Sequence, residues 1–191
     1  MGKEETSTIG NRVIRGACYA GIGSRKISDN VFSLCFSMGK AMAVDGWHLR
    51  ATHSAGCSVA FEQGAEEEHA GISVFLPWKS YGNEYPLPIG CSSVVISSKV
   101  PEIDAVCMKA YPDYKNISGG IRKLMRRYVA CLLGTKLDTP VRCVMCWTPV
   151  GEESPSGAYF ALQVAKLHNI PIINLATTAP DKALEMAMEC S

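Results

Sequence analysis

What this sequence lacks narrows its class before any motif is read. Its longest apolar stretches are broken by charges or prolines well short of the roughly 20 residues a membrane span needs, which excludes a helical membrane protein. Charge of one sign is not in excess. With 19 basic residues against 18 acidic ones the net charge is +1, so attraction to nucleic acid would have to come from a local patch. Internal repeats and low-complexity tracts are absent, and 47% hydrophobic with 19% charged residues over 191 positions is a globular balance. No secretory leader is evident, so the nine cysteines are expected to be reduced thiols of a cytoplasmic protein and not a disulfide framework.

Metal and cofactor motifs are scarce too. Cys143-Val-Met-Cys146 has the spacing of a redox or zinc half-site, but it lies inside an apolar strand, where residues three apart face opposite sides of a sheet. No second CxxC or CxxH pair accompanies it. Buried thiols are expected there, with neither metal nor cofactor.

What is present is an alternation of strand and helix patterns. Residues 1–12 read as a flexible polar arm, and one domain is expected over 13–191. The apolar run Gly16-Ala-Cys-Tyr-Ala-Gly21 is stopped by glycine like a buried strand. It leads through Gly-Ile-Gly-Ser-Arg into a helix capped by Ser28 or Asp29. Val31, Leu34, Cys35, Met38, Ala41 and Met42 give that helix one apolar face, until Asp45-Gly46 ends it. A strand at 47–51, a turn at Thr52 to Gly56, a helix at 58–69 and a strand at 72–76 follow. Residues 78–118, richer in Pro, Gly and Ser, read as a variable insertion with a short strand at 92–96. Helices at 121–133, 156–168 and 181–189 then alternate with strands at 141–147 and 171–175. The order predicts an α/β fold: a Rossmann-like three-layer sandwich with a mainly parallel central sheet and helices on both faces. Ligands of such sheets bind at the carboxyl ends of the strands.

Three groups of residues are candidates for binding. Gly21-Ile-Gly23-Ser24-Arg25 follows a strand and precedes a helix, the setting in which exposed amides receive phosphate, and Ser24 and Arg25 add a hydroxyl and a cation. Glycine used only for backbone geometry would look the same. Lys115, Arg122, Lys123, Arg126 and Arg127 cluster around the Gly119-Gly120 break, with Lys123, Arg126 and Arg127 on one helical face. Such a patch suits a nucleic-acid backbone, with Tyr111, Tyr114 and Tyr128 near enough in sequence to stack on bases. A solvated helix face fits the pattern equally. Glu62 is the candidate catalytic or sugar-binding carboxylate, against the alternative of a solvated helix glutamate, which is the reading for Glu66, Glu67 and Glu68. His53 suits a phosphate or a base, but the sequence shows no acid partner for it.

The ordered set Tyr19-Ala-Gly-Ile-Gly-Ser-Arg25, Leu49-Arg50, Ala60-Phe-Glu-Gln-Gly-Ala65, Leu76-Pro-Trp78, Cys146-Trp-Thr-Pro149 and Ile170-Pro-Ile-Ile-Asn-Leu175 resembles a phage and bacterial family of DprA/Smf-type Rossmann-like modules. These are related to the LOG nucleotide hydrolases of the SLOG superfamily. The resemblance spans most of residues 16–176 and implies a nucleotide-related ligand, frequent pairing into homo-oligomers and often a phage origin, hence a host cytoplasm. Two departures stand out. Where relatives carry Ser-Gly-Gly-Ala and then an acid, this chain has Ala51-Thr52-His53-Ser54 and Ser58; where they carry Gly-Gly-Thr-Gly, it has Ser156-Gly157-Ala158-Tyr159.

The resemblance places phosphate or nucleotide contacts at Gly21, Gly23, Ser24, Arg25, Thr52, His53, Ser54 and Gly157. It implies a DprA-like protein that holds single-stranded DNA without catalysis, with a protein partner in DNA transactions as a further expectation. The alternatives are a LOG-like enzyme cleaving an N-glycosidic bond through Glu62, and a protein-interaction module on the same fold.

Overall fold

The glycine-bounded strand Cys18–Gly23 (β3) forms the centre of a sheet because its residues are small or apolar on both faces, as a strand covered from both sides requires. The computed structural model describes residues 8–9, 12–13, 16–96, 99–149 and 156–190. Within the stretch expected as an arm, Thr8–Ile9 (β1) pairs antiparallel with Arg12–Val13 (β2). Next to β3 lie His48–Ala51 (β4) and then Ile72–Leu76 (β5) and Ser92–Val95 (β6); on its other side lie Cys143–Trp147 (β7) and Ile172–Asn174 (β8). All neighbouring pairs of this six-stranded sheet, ordered β6-β5-β4-β3-β7-β8, run parallel. The Rossmann-like α/β reading is therefore correct. The strand order reverses between β3 and β7, so the crevice at their carboxyl ends is the topological switch point.

Two apolar cores flank the sheet. Asp29–Val44 (α1), Cys57–Glu67 (α2) and Pro180–Glu189 (α6) cover one face, around Tyr19, Trp47, Leu49, Phe61 and Met145. Pro101–Ala110 (α3), Gly119–Leu133 (α4) and Gly157–Leu167 (α5) cover the other, around Ile22, Val129, Leu132, Val144 and Phe160. Cys143 falls in the first core and Cys146 in the second, both fully buried, as the period of two required.

The expected helix boundaries lie within about two residues of the observed ones. Ser28 is the α1 cap, its side chain accepting from the Val31 amide. Residues 78–118 are more ordered than the insertion reading had them: they contain β6, α3 and a 3-10 turn at Pro112–Asn116. The signals for α3 were Pro101 at its first turn, acids Glu102 and Asp104 beside it, and the buried stripe Ile103, Val106, Cys107.

Helices α1 and α2 approach backbone to backbone through two glycines. A Cβ on Gly39 would sit 2.5 Å from the Phe61 carbonyl oxygen, and one on Gly64 would run into the Phe36 carbonyl. Gly64→Ala should therefore force the helices apart and lower stability by about 1–3 kcal/mol in urea denaturation. Gly120→Ala, where a Cβ meets only the Ser118 hydroxyl at 3.9 Å, should leave stability unchanged or raise it.

Candidate functional site

Three turns converge at the switch point, and each is fastened to the next. Ser24 donates its amide to the Trp147 carbonyl at the end of β7 (3.1 Å) and accepts from the Cys57 amide at the start of α2 (3.1 Å). Gly23, at φ +152°, leaves no room for a side chain: a Cβ would lie 2.5 Å from the Trp147 oxygen and 2.7 Å from the Cys57 sulfur. Gly56, at φ +81°, presses in the same way on the Ser24 and Arg25 carbonyls. Gly21 faces Phe61 and Leu49. These glycines thus serve packing, and both backbone groups of Ser24 are occupied. What the turn presents to solvent is the side chains of Arg25 and Lys26. The α1 N-terminus behind it already has the Ser28 cap and Asp29 in its first turn.

The second turn holds the densest polar chemistry. Thr52, His53, Ser54, Ser58 and Glu62 are all at most 2% exposed. The Glu62 carboxylate accepts the His53 amide at one oxygen (2.9 Å), which also takes the Ser58 hydroxyl (3.3 Å), and faces His53 Nδ1 with the other (2.6 Å). His53 stands where relatives were expected to carry glycine and adopts φ +50°, so the turn keeps the left-handed geometry without the glycine. The expectation that His53 lacks an acid partner is corrected here. Nine residues along the sequence, α2 folds back and places Glu62 against both its amide and its ring. Burial alone would lower the His53 pKa, but the Glu62 contact and the Tyr85 and Gly82 carbonyls outweigh it and raise it. The solvated-helix alternative for Glu62 is excluded by the same contacts.

From Glu62 a line of hydroxyls runs outward. Ser58 Oγ accepts the Thr52 amide (3.1 Å), Thr52 Oγ1 lies 3.3 Å from Ser54 Oγ, and Ser54 Oγ accepts from Arg127 Nη2 (2.9 Å). Arg127 also donates to the Thr52 carbonyl (2.8 Å) and the Tyr81 hydroxyl (3.0 Å), with its guanidinium 4.1 Å above the Tyr81 ring. Its acceptors are all neutral, and its Nε has no partner among the described residues.

The five-cation cluster, Lys115 in the 3-10 turn and the other four on α4, is consequently divided. Arg127 is 2% exposed and braces the second turn. Arg126 is 8% exposed and forms a two-pronged pair with Asp104 on α3, Nε to Oδ1 at 2.7 Å and Nη2 to Oδ2 at 3.1 Å. The Tyr114 hydroxyl donates to the same carboxylate, so Tyr114 is an internal strut, and Tyr128 lies buried against Gly157. Lys115 is exposed, while Arg122 and Lys123 are half-buried. The solvated-face reading fails for Arg126 and Arg127 because every residue from Arg126 to Leu133 is buried, so this half of α4 is enclosed on all sides.

At the third turn Asn174 ties β8 to β7, accepting the Thr148 amide (3.1 Å) and donating to its carbonyl (3.0 Å), a role the motif reading did not assign. Residues 150–155 lie outside the described ones. A cavity of about 940 Å³ opens at the opposite edge, between Cys18, Arg50, Arg142 and His168, away from all three turns.

The fold and the switch-point crevice define a Rossmann-like α/β protein. No family model matches the chain, and no curated protein matches it. Solved structures do. The molybdenum cofactor carrier protein of Chlamydomonas reinhardtii is 14% identical with a TM-score of 0.52, over 92% of this chain and 85% of that one. DNA processing protein A from Helicobacter pylori, whose structure concerns single-stranded DNA binding, is 13% identical with a TM-score of 0.54, over 90% and 73%. The molybdenum cofactor binding protein of Rippkaea orientalis is 12% identical with a TM-score of 0.47, over 92% and 98%. At these identities the likeness is one of fold.

Removing Arg126 tests the buried pair. Arg126→Met should cost about 3–5 kcal/mol near neutral pH, because Asp104 would remain buried and unpaired. Burial alone would raise the Asp104 pKa, but Arg126 and Tyr114 overcome this and hold it below the usual carboxylate range. The pair's contribution is therefore present above the unfolded value of about 3.9 and lost as pH falls through the lower folded value. The gap between wild type and variant in urea midpoint should narrow only in acid.

Proposed function

We propose that this protein binds single-stranded DNA along the carboxyl edge of its sheet and does not cleave it. The observation that carries the reading is the division of charge at that edge: Arg25, Lys26 and Lys115 are exposed and Arg122 and Lys123 half-buried, while the one candidate catalytic carboxylate is buried and fully engaged. Helices in a parallel α/β layer run opposite to the strands, so the start of α4, with Arg122 and Lys123 and with Lys115 just ahead of it, comes to the same edge as Arg25 and Lys26. Lys and Arg gathered at one edge suit phosphates spaced along a flexible strand. The fold shared with a DNA processing protein agrees with this ligand class.

Catalysis at Glu62 is disfavoured by occupancy. Its oxygens accept from the His53 amide, face the His53 ring and accept from the Ser58 hydroxyl, and its side chain is 2% exposed, so a general acid or base there has no path to a substrate. The carrier protein with the same fold supports a second reading, a small phosphorylated ligand held at the Gly21 to Arg25 turn through Arg25, again without chemistry.

The two readings separate by salt. With about four phosphate contacts, affinity for labelled oligo-dT should fall roughly 50-fold between about 50 and 200 mM salt. Arg25→Ala or Lys123→Ala should each flatten the slope by about 0.7. Absence of oligo-dT binding at low salt overturns the proposal, and free base released from nucleoside monophosphates overturns its non-catalytic half.

A further inference from the structure

We propose that residues 78–91 form a lid over the second turn that is latched by the protonated form of His53 and released when His53 loses its proton. The segment connects β5 to β6 and is fastened at three places. The Tyr81 hydroxyl and ring lie on Arg127, the Tyr85 carbonyl lies 3.2 Å from His53 Nε2, and the Ile89 amide donates to Glu66 Oε1 (2.7 Å). Gly82, at φ +73°, closes over the imidazole so tightly that a Cβ there would stand 2.6 Å from His53 Cδ2. Trp78 packs edge-on to Tyr81 at 5.3 Å between centroids. The lid tip is apolar and open to solvent, with Ile89 92% exposed. Pro88 beside it is buried and lines a cleft with Phe36 and Val59.

The latch follows from counting protons. His53 Nδ1 faces a carboxylate oxygen at 2.6 Å and Nε2 faces a carbonyl oxygen at 3.2 Å, and a carbonyl only accepts. A hydrogen on each ring nitrogen satisfies both contacts. If the proton of the short contact sits on Glu62 instead, the total is the same: the closed lid holds one proton more than neutral imidazole beside ionised Glu62. When that proton leaves, one ring nitrogen must present a lone pair to an oxygen. Keeping the hydrogen on Nδ1 preserves the stronger, charged contact, so the contact that yields is Nε2 to Tyr85.

Every neighbouring charge bears on this balance. Glu62 and Glu66 on α2 favour the proton, Arg127 on α4 opposes it, and burial pushes the Cys91 thiol of the lid up, which keeps it uncharged. The net direction for His53 is upward, carried by Glu62 and the lid carbonyls against burial. A raised folded pKa means that the latch is complete below the ordinary histidine value of about 6.5 and is lost as pH climbs through the higher folded value. Opening withdraws Tyr81 from Arg127 and uncovers the guanidinium together with the Thr52 carbonyl and the Ser54 hydroxyl. The inference concerns the lid itself and stands whatever ligand the edge receives.

Hydrogen exchange followed by mass spectrometry at about pH 6 and about pH 9, corrected for intrinsic rates, reads the lid directly. Because lid closure raises the His53 pKa, losing the proton must weaken closure, so lid peptides should lose protection at the higher pH. Peptides from β3 and β7 should not change. Gly82→Ala, which drives a methyl into the imidazole, should open the lid at both values. His53→Asn, chosen because asparagine tolerates left-handed backbone, should abolish the pH dependence. Histidine nitrogen NMR on the unmodified protein needs no variant and should show His53 Nε2 protonated at the lower pH, with loss of that proton coinciding with loss of lid protection. Equal protection at both pH values, or pH dependence that survives in folded His53→Asn, overturns the proposal.

Discussion

One buried carboxylate organises the carboxyl edge of this sheet. Glu62 is 1% exposed, and burying an ion at that depth is costly unless its lone pairs are met. The chain meets them locally, with the His53 amide, the His53 ring and the Ser58 hydroxyl. Because Glu62 belongs to α2 and His53 to the turn before it, satisfying the charge also sets where the turn lies. Thr52 and Ser54 then face Arg127, whose charge is carried by hydroxyls, a carbonyl and two tyrosine rings.

The consequence for function is a shift of the accessible chemistry from backbone to side chain. In a glycine-rich phosphate loop the amides meet the ligand. Here the Ser24 amide is given to Trp147, and the second turn carries side chains at the positions that would approach a phosphate. Arg25 and Lys115 remain exposed, with Arg122 and Lys123 half-buried, and the binding proposed above rests on them. Fold alone would not have chosen the ligand, since the same architecture appears in a DNA processing protein and in a cofactor carrier.

The fold was legible because it rests on local signals. The apolar run ended by Gly21 and Gly23, the period of three to four in α1, the Ser28 cap and the alternation of elements each act within a few residues, and together they leave few topologies for a parallel sheet. The buried fates of Cys143 and Cys146 were readable for the same reason. Helix α3 was missed although Pro101, its acids and its apolar stripe were in view, because the surrounding Pro, Gly and Ser masked them.

The site was legible as a set of positions and not as a set of contacts. The sequence by itself determined that the turns Gly21 to Arg25 and Thr52 to Ser54 follow parallel strands and so lie at their carboxyl ends, since strand and helix order dictates it. Only the tertiary structure decided that His53 has a carboxylate at its ring, that Arg126 and Arg127 face inward, and that residues 78–91 close over the turn. Those outcomes depend on groups tens of residues apart meeting where water is excluded, and there the cost of an unpaired charge outweighs any preference the local sequence expresses.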